Sequence, residues 1–246
     1  MKLREIVDWM NGELRVGEIE DYPNAHNGLQ LENANGEVTR VACAVDGCEA
    51  VIEMAVEAGA DLLIVHHGMM WGGAQRLEGA PFRKIRTAIE GGLAVYSCHL
   101  PLDQHPVLGN NAILAREIGM EETEPFAKYG LRAYLDVRLP DLIDKVERVV
   151  GGPVHLAPGG PDRVRRIGVV TGGGGDLIAE VAAEGIDTFV TGEGAQHTYT
   201  LAEELGVNLI YAGHYATETF GVKALAAAVS DRFEVPWEFM DHPTGL

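Results

Sequence analysis

Two kinds of apolar run alternate along the chain. Short β-branched blocks bounded by glycine, such as VTRVACAV at 38–45 and LLIV at 62–65, are separated by stretches in which apolar positions recur every three to four residues, as over 49–58. The first pattern predicts buried strands and the second amphipathic helices, so the chain reads as α/β. The opening MKLREIVDWMNGEL reads as an amphipathic helix and not as a secretory leader. No apolar run approaches the ~18 residues that a membrane span needs.

The chain also repeats itself. Residues 38–68 align without a gap to residues 164–194 at an offset of 126, matching Val38/Val164, Arg40/Arg166, Gly47/Gly173, Ile52/Ile178, Gly59/Gly185, Asp61/Asp187 and Gly68/Gly194. A second block, 91–103, aligns to 206–218 at an offset of 115, matching Gly91/Gly206, Tyr96/Tyr211, His99/His214 and Asp103/Glu218. The extra residues of the first copy fall near Trp71 to Pro81, in a glycine-rich loop. Two related α/β lobes are expected, 1–125 and 126–246, each running strand, helix, strand, helix, strand, with the stretch 126–161 as their junction. Duplicated lobes make a site between them natural.

The histidines fall at particular places in this pattern. His66 and His67 follow the apolar strand directly, at the carboxyl end where open α/β sheets place their ligands. Neighbouring strand residues point to opposite sides, so each imidazole is expected to serve a different ion of a close pair. His99 with Asp103 ends the next strand of the first lobe, and His214 with Glu218 ends the matching strand of the second. A single histidine at a strand end is ordinarily a packing or capping residue. Four histidines with an aspartate and a glutamate, placed in this way in both copies, are what a two-metal site needs. Imidazoles suit Zn, Fe, Mn, Co or Ni, and carboxylates bridge ions ~3.5–4 Å apart. Two divalent transition-metal ions per subunit are therefore expected on His66, His67, His99, Asp103, His214 and Glu218.

The segments VHHG at 65–68 with Trp71, HLPLDQHPVLGNNAILA at 99–115, and AGHYATET at 212–219 resemble the NIF-three-like dinuclear metal-centre proteins, also known as GTP cyclohydrolase I type 2 homologues. The resemblance covers nearly the whole chain. It implies a two-lobed α/β subunit, a cytoplasmic homohexameric ring with metal pairs facing an interior cavity, and His66, His67, Asp103, His214 and Glu218 as ligands, with His99 a further ligand or a group that supports them. The N-terminal element departs from the family pattern: it reads AHNGLQ at 25–30, with His26 and Asn27 where many relatives carry Asp and Asn. Hydrolysis of a small anionic molecule, possibly a nucleotide, by a metal-activated water is the implied chemistry. A non-enzymatic metal-binding scaffold or regulatory ring is the alternative.

Glu193 holds in the second copy the position of His67 in the first, and is the candidate proton-transfer group, with His197 four residues on. Its competing role is to cap the following helix. The glycine run TGGGGD at 171–176 lacks the lysine of a phosphate loop and reads by default as a tight strand-to-helix turn.

Composition refines the choice of partners. Nineteen Lys and Arg against 37 Asp and Glu give a net charge of −18, which disfavours nucleic acid as a partner. Three cysteines, Cys43, Cys48 and Cys98, form no CxxC pair and fit small core residues in a reducing cytoplasm. The carboxylates are spread along the chain, as in a protein of a high-salt cytoplasm where self-repulsion is screened, or in an ordinary acidic protein. In the halophilic case the melting temperature rises between low and molar salt; a melting curve unchanged by salt contradicts it.

Overall fold

The computed structural model describes residues 1–73 and 75–246, and the chain forms two compact units, Met1–His105 with Gly221–His242, and Pro106–Phe220 with Pro243–Leu246. The elements of the first unit are α1 (Leu3–Glu13), β1 (Gly28–Leu31), β2 (Val41–Asp46), α2 (Glu49–Glu57), β3 (Leu62–His67), α3 (Ala80–Glu90), β4 (Ala94–Ser97) and the short α4 (Leu100–Asp103). Those of the second are α5 (Asn110–Glu117), β5 (Glu124–Phe126), β6 (Gly130–Arg138), α6 (Leu139–Val150), β7 (His155–Pro158), β8 (Arg163–Val170), α7 (Ile178–Ala183), β9 (Thr188–Thr191), α8 (Gln196–Leu205) and β10 (Asn208–Tyr211). The long α9 (His214–Phe233) begins in the second unit and ends in the first, which β11 (Trp237–Phe239) completes.

In the first unit the sheet order is β1-β4-β3-β2-β11, with β1 antiparallel to β4 and the other neighbours parallel. Nearly every residue of β2, β3 and β4 is buried, which explains why their sequences are continuously apolar and not alternating. α1 buries Leu3, Ile6, Val7 and Met10, the i, i+3, i+4, i+7 stripe seen in its sequence. α2 turns Val51, Ile52 and Ala55 onto Leu63, Val65 and Val95.

In the second unit the order is β5-β6-β8-β9-β10-β7, with a parallel centre β8-β9-β10. Strand alternation divides its core in two. Val169, Val190 and Ile210 pack with Leu114 of α5 and with Leu142 and Val146 of α6. Their chain neighbours Val170, Phe189 and Leu209 pack with Ile178 and Val181 of α7 and with Ala202 of α8.

Strand pairing in each unit tests the repeat. Val41 opposes Leu62 in the first unit and Ile167 opposes Thr188 in the second, both at the offset of 126. The third strand differs: Leu62 opposes Ala94, whereas Thr188 opposes Asn208, an offset of 114 and not 115. Register therefore equates Tyr211 with Ser97 and not with Tyr96. The one-residue difference lies after the strand, where Cys98 alone precedes His99 but Ala212 and Gly213 precede His214. Accordingly Tyr96 is fully buried, donating its hydroxyl to Asn11 Oδ1 at 3.0 Å, while Tyr211 is half-buried.

The unit boundaries also differ from a division at 125/126. Leu114, Ala115, Ile118 and Met120 pack into the core of the second unit, and β11 returns to pair with β2 at Trp237↔Val41. The stretch expected to be a junction is regular structure, β6, α6 and β7, and β6 pairs with β8 over most of its length. Among the described residues no helix is long and apolar enough to cross a membrane.

Candidate metal centre

In the first unit β3 ends on His66 and His67, and the chain leaving β4 reaches His99 two residues beyond Ser97. One ring nitrogen of each of these three histidines lies within 4.8 Å of those of the others. The expectation that His66 and His67 diverge to opposite sides fails here: their ring centroids are 4.8 Å apart. Asp103 is buried, with Oδ2 3.4 Å from His66 Nε2. It closes α4, a single helical turn capped by His99 with Pro101 inside its first turn, where a missing N–H costs nothing. The His99–Asp103 segment is thus helical, as its counterpart is.

Each of the three imidazoles is fixed through Nδ1. His66 Nδ1 lies 3.0 Å from the Cys98 carbonyl, which can only accept, so that nitrogen carries a proton. His67 Nδ1 meets Asp46 Oδ1 at 2.8 Å, because Asp46 and His67 are register partners on β2 and β3. His99 Nδ1 meets Asp21 Oδ1 at 2.9 Å. Burial alone would raise the Asp21 carboxyl, but its bonds with His99 and Asn27 hold it down at about 2, so it is an anion at neutral pH.

Asp21 and Asp46 carry no signal in the sequence, whereas Asn27 lies in the N-terminal AHNGLQ element. Asp21 Oδ2 accepts from Leu100 N at 2.9 Å and from Asn27 Nδ2 at 2.8 Å, and Asn27 Oδ1 accepts from His99 N at 2.8 Å. The N-terminal element, for all its departure from the family pattern, holds His99 in place. Gln30 extends the support, donating to the carbonyls of Ala25 and His26 and accepting from Met69 N at 2.7 Å. A Cβ on Gly68 would collide with the Gln30 amide, which accounts for glycine after the two histidines.

In the second unit His214 opens α9, and Glu218, one turn later, is buried on the same face. His214 Nε2 lies 3.1 Å from Glu218 Oε2, and Nδ1 lies 3.0 Å from Glu193 Oε1. Burial alone would lower the His214 pKa, but its bonds to Glu218 and Glu193 together raise it to about 9. Glu193 thus contacts His214 and does not cap α8, whose N-cap Ala195 makes no side-chain cap. His197 is exposed, with Nε2 3.6 Å from Asp176 Oδ1. The glycine run serves close approach: a Cβ on Gly172, where φ is +67°, would collide with the Glu218 carboxylate, and one on Gly173 would lie 3.7 Å from the His214 ring.

These donor sets suit a transition metal. Imidazoles braced at Nδ1 by a carbonyl or carboxylate are the usual surroundings of metal-bound histidine, and a histidine–glutamate pair one helical turn apart chelates. The buried His and Glu groups can therefore hold a metal.

An α/β protein with histidine and carboxylate groups gathered at the ends of parallel strands is the class so defined. The Duf34/NIF3 (NGG1p interacting factor 3) family model matches residues 1–244, and the chain belongs to that family. A Deinococcus radiodurans protein named GTP cyclohydrolase 1 type 2 homolog is 41% identical over 250 residues, covering 98% of this chain and 94% of its own. A Halobacterium salinarum protein of the same name is 41% identical over 256 residues, with both chains fully covered. Among solved structures, TTHA1606 from Thermus thermophilus superposes with a TM-score of 0.94 at 40% identity over the whole of both chains.

Replacing Asp21 with Asn keeps the shape but removes the anion that braces His99. Metal affinity of the first ligand set is expected to fall ~10–100-fold, read by competition against a chromophoric chelator. Unchanged affinity would show that His99 does not bind metal through this brace.

Proposed function

We propose that the chain is a metal-dependent hydrolase of a small anionic, nucleotide-type molecule. It would hold two divalent transition-metal ions, His66, His67, His99 and Asp103 serving one ligand set and His214 with Glu218 the other. The observation that carries this reading is the gathering of His66, His67 and His99, one ring nitrogen of each within 4.8 Å of those of the others, with all three rings held at Nδ1. Two such ions when bound supply a water acidic enough to ionise near neutral pH and offset the charge of an anionic substrate. The name shared by the relatives, GTP cyclohydrolase 1 type 2 homolog, supports a nucleotide as the substrate class.

The protein's own groups have distinct tasks in this reading. Asp103 and Glu218, both buried, supply the negative charge that makes each site selective for a dication over a neutral ligand. Asp21 and Asp46 accept from the imidazoles and hold them in one tautomer. Glu193 is the proton carrier: its carboxylate is about half exposed, contacts His214 Nδ1, and can pass a proton between that ring and a substrate atom.

The test is a screen of metal-loaded protein against GTP, other nucleotides, cyclic amides and phosphoesters. Turnover of a nucleotide is expected, lost by at least ~100-fold in both Asp103→Ala and Glu218→Ala. A panel with no turnover, from protein that nevertheless retains its metal, would instead identify a non-enzymatic metal-binding scaffold or regulator.

A further inference from the structure

The second unit contains an open cavity of about 510 Å³, of whose lining only Glu193 has a role above. His155, Tyr199, Tyr211, Glu193, Thr200 and Leu246 line it. Its wall follows from register: His155 on the edge strand β7 is the direct cross-strand partner of Tyr211 on β10, so the two side chains stand on the same face. Their ring planes lie 23° apart with centroids at 6.0 Å. Tyr199, from the first turn of α8, adds a third ring 30° from the plane of His155 and 5.6 Å away. The Tyr211 hydroxyl is tied to the buried Thr198 hydroxyl at 2.7 Å, which fixes that ring. The register counterpart of Tyr211 in the first unit is Ser97, which carries no ring.

Two tyrosine rings, each within 30° of the plane of His155 and all three lining the cavity, form a platform for another flat π-system. The same cavity contains the Glu193 carboxylate, whose Oε1 lies on His214 Nδ1. A carboxylate beside a stacking wall accepts N–H donors from the edge of a ring and offers nothing to a plain hydrocarbon. The size lies within the range of small-molecule sites and accommodates a nucleoside.

We propose that this cavity is a binding subsite for a planar nitrogen heterocycle bearing N–H donors, a purine-type base, with His155, Tyr199 and Tyr211 as the stacking wall and Glu193 as the acceptor for its edge. As a substrate subsite it rests on the hydrolase reading, because Glu193 links the cavity to the His214 and Glu218 set. As a binding site it stands without that reading, and the experiment is chosen accordingly.

Full-length protein is titrated by calorimetry with guanosine, ribose and phenol, with circular dichroism confirming the fold of each variant. Guanosine is expected to bind and ribose not, with phenol far weaker than guanosine. Tyr199→Leu, and separately His155→Ala on the exposed edge strand, should each weaken guanosine binding by about tenfold or more, while Tyr199→Phe retains it. Absence of guanosine binding, equal binding by wild type and both variants, or phenol binding as tightly as guanosine would overturn the proposal. Guanosine binding that depends on these rings, in a protein with no turnover on any substrate, would keep the subsite and remove the hydrolase. Nucleotide turnover with an unchanged KM in both ring variants would do the reverse.

Discussion

An imidazole presents Nε2 to a cation only when its other nitrogen is spoken for, and the fixing of Nδ1 is the constraint on which the candidate centre depends. The Cys98 carbonyl, Asp46, Asp21 and Glu193 each hold one histidine in this way. Each partner reaches its imidazole by a different route: a chain turn beside the strand, a cross-strand register pair, a loop from the N-terminal region, and a loop after β9. Much of the surrounding sequence serves these contacts. Asn27 and Gln30 secure the loop that carries Asp21, Gly68 leaves room for the Gln30 amide, and Gly172 leaves room for the Glu218 carboxylate.

The two copies of the repeat have diverged at the positions that carry chemistry while keeping the strands that position them. At the offset of 126, the carboxylate of Asp46 corresponds to Gly172, where the absence of a side chain admits Glu218, and His67 corresponds to Glu193. The first unit is therefore rich in imidazole with carboxylates as braces, whereas the second surrounds one imidazole with two carboxylates. That asymmetry gathers imidazoles in one unit and sets a carboxylate next to an open aromatic cavity in the other. The global charge of −18 says little about either, because the local groups decide what each end of a strand attracts.

Much of this is legible in the sequence, for physical reasons. Helix α1 is readable because its apolar stripe is local, and β3 because both of its faces are covered. His66, His67, His99, Asp103, His214 and Glu218 stand out because duplication marks equivalent strand ends. Asp21 does not: its separation of 78 positions from His99 follows no periodicity, and one acidic residue in a chain with 37 of them carries no signal. Asp46 is findable in principle, since aligned parallel strands place it opposite His67. The repeat aligns one residue out at Tyr96 and Tyr211, because a shared tyrosine outweighs a shift that only pairing reveals. The unit boundary is misplaced by sequence for a related reason, as β11 joins β2 across nearly the whole chain.

Elemental analysis of protein purified without added metal bears most directly on the central claim, that braced imidazoles and buried carboxylates in both units exist to hold metal. About two divalent transition-metal ions per chain are expected, falling to about one when His66 and His99 are both replaced by Ala. Fewer than about one ion per chain in the unmodified protein, with no uptake on addition of Zn, Mn, Fe, Co or Ni, would contradict it.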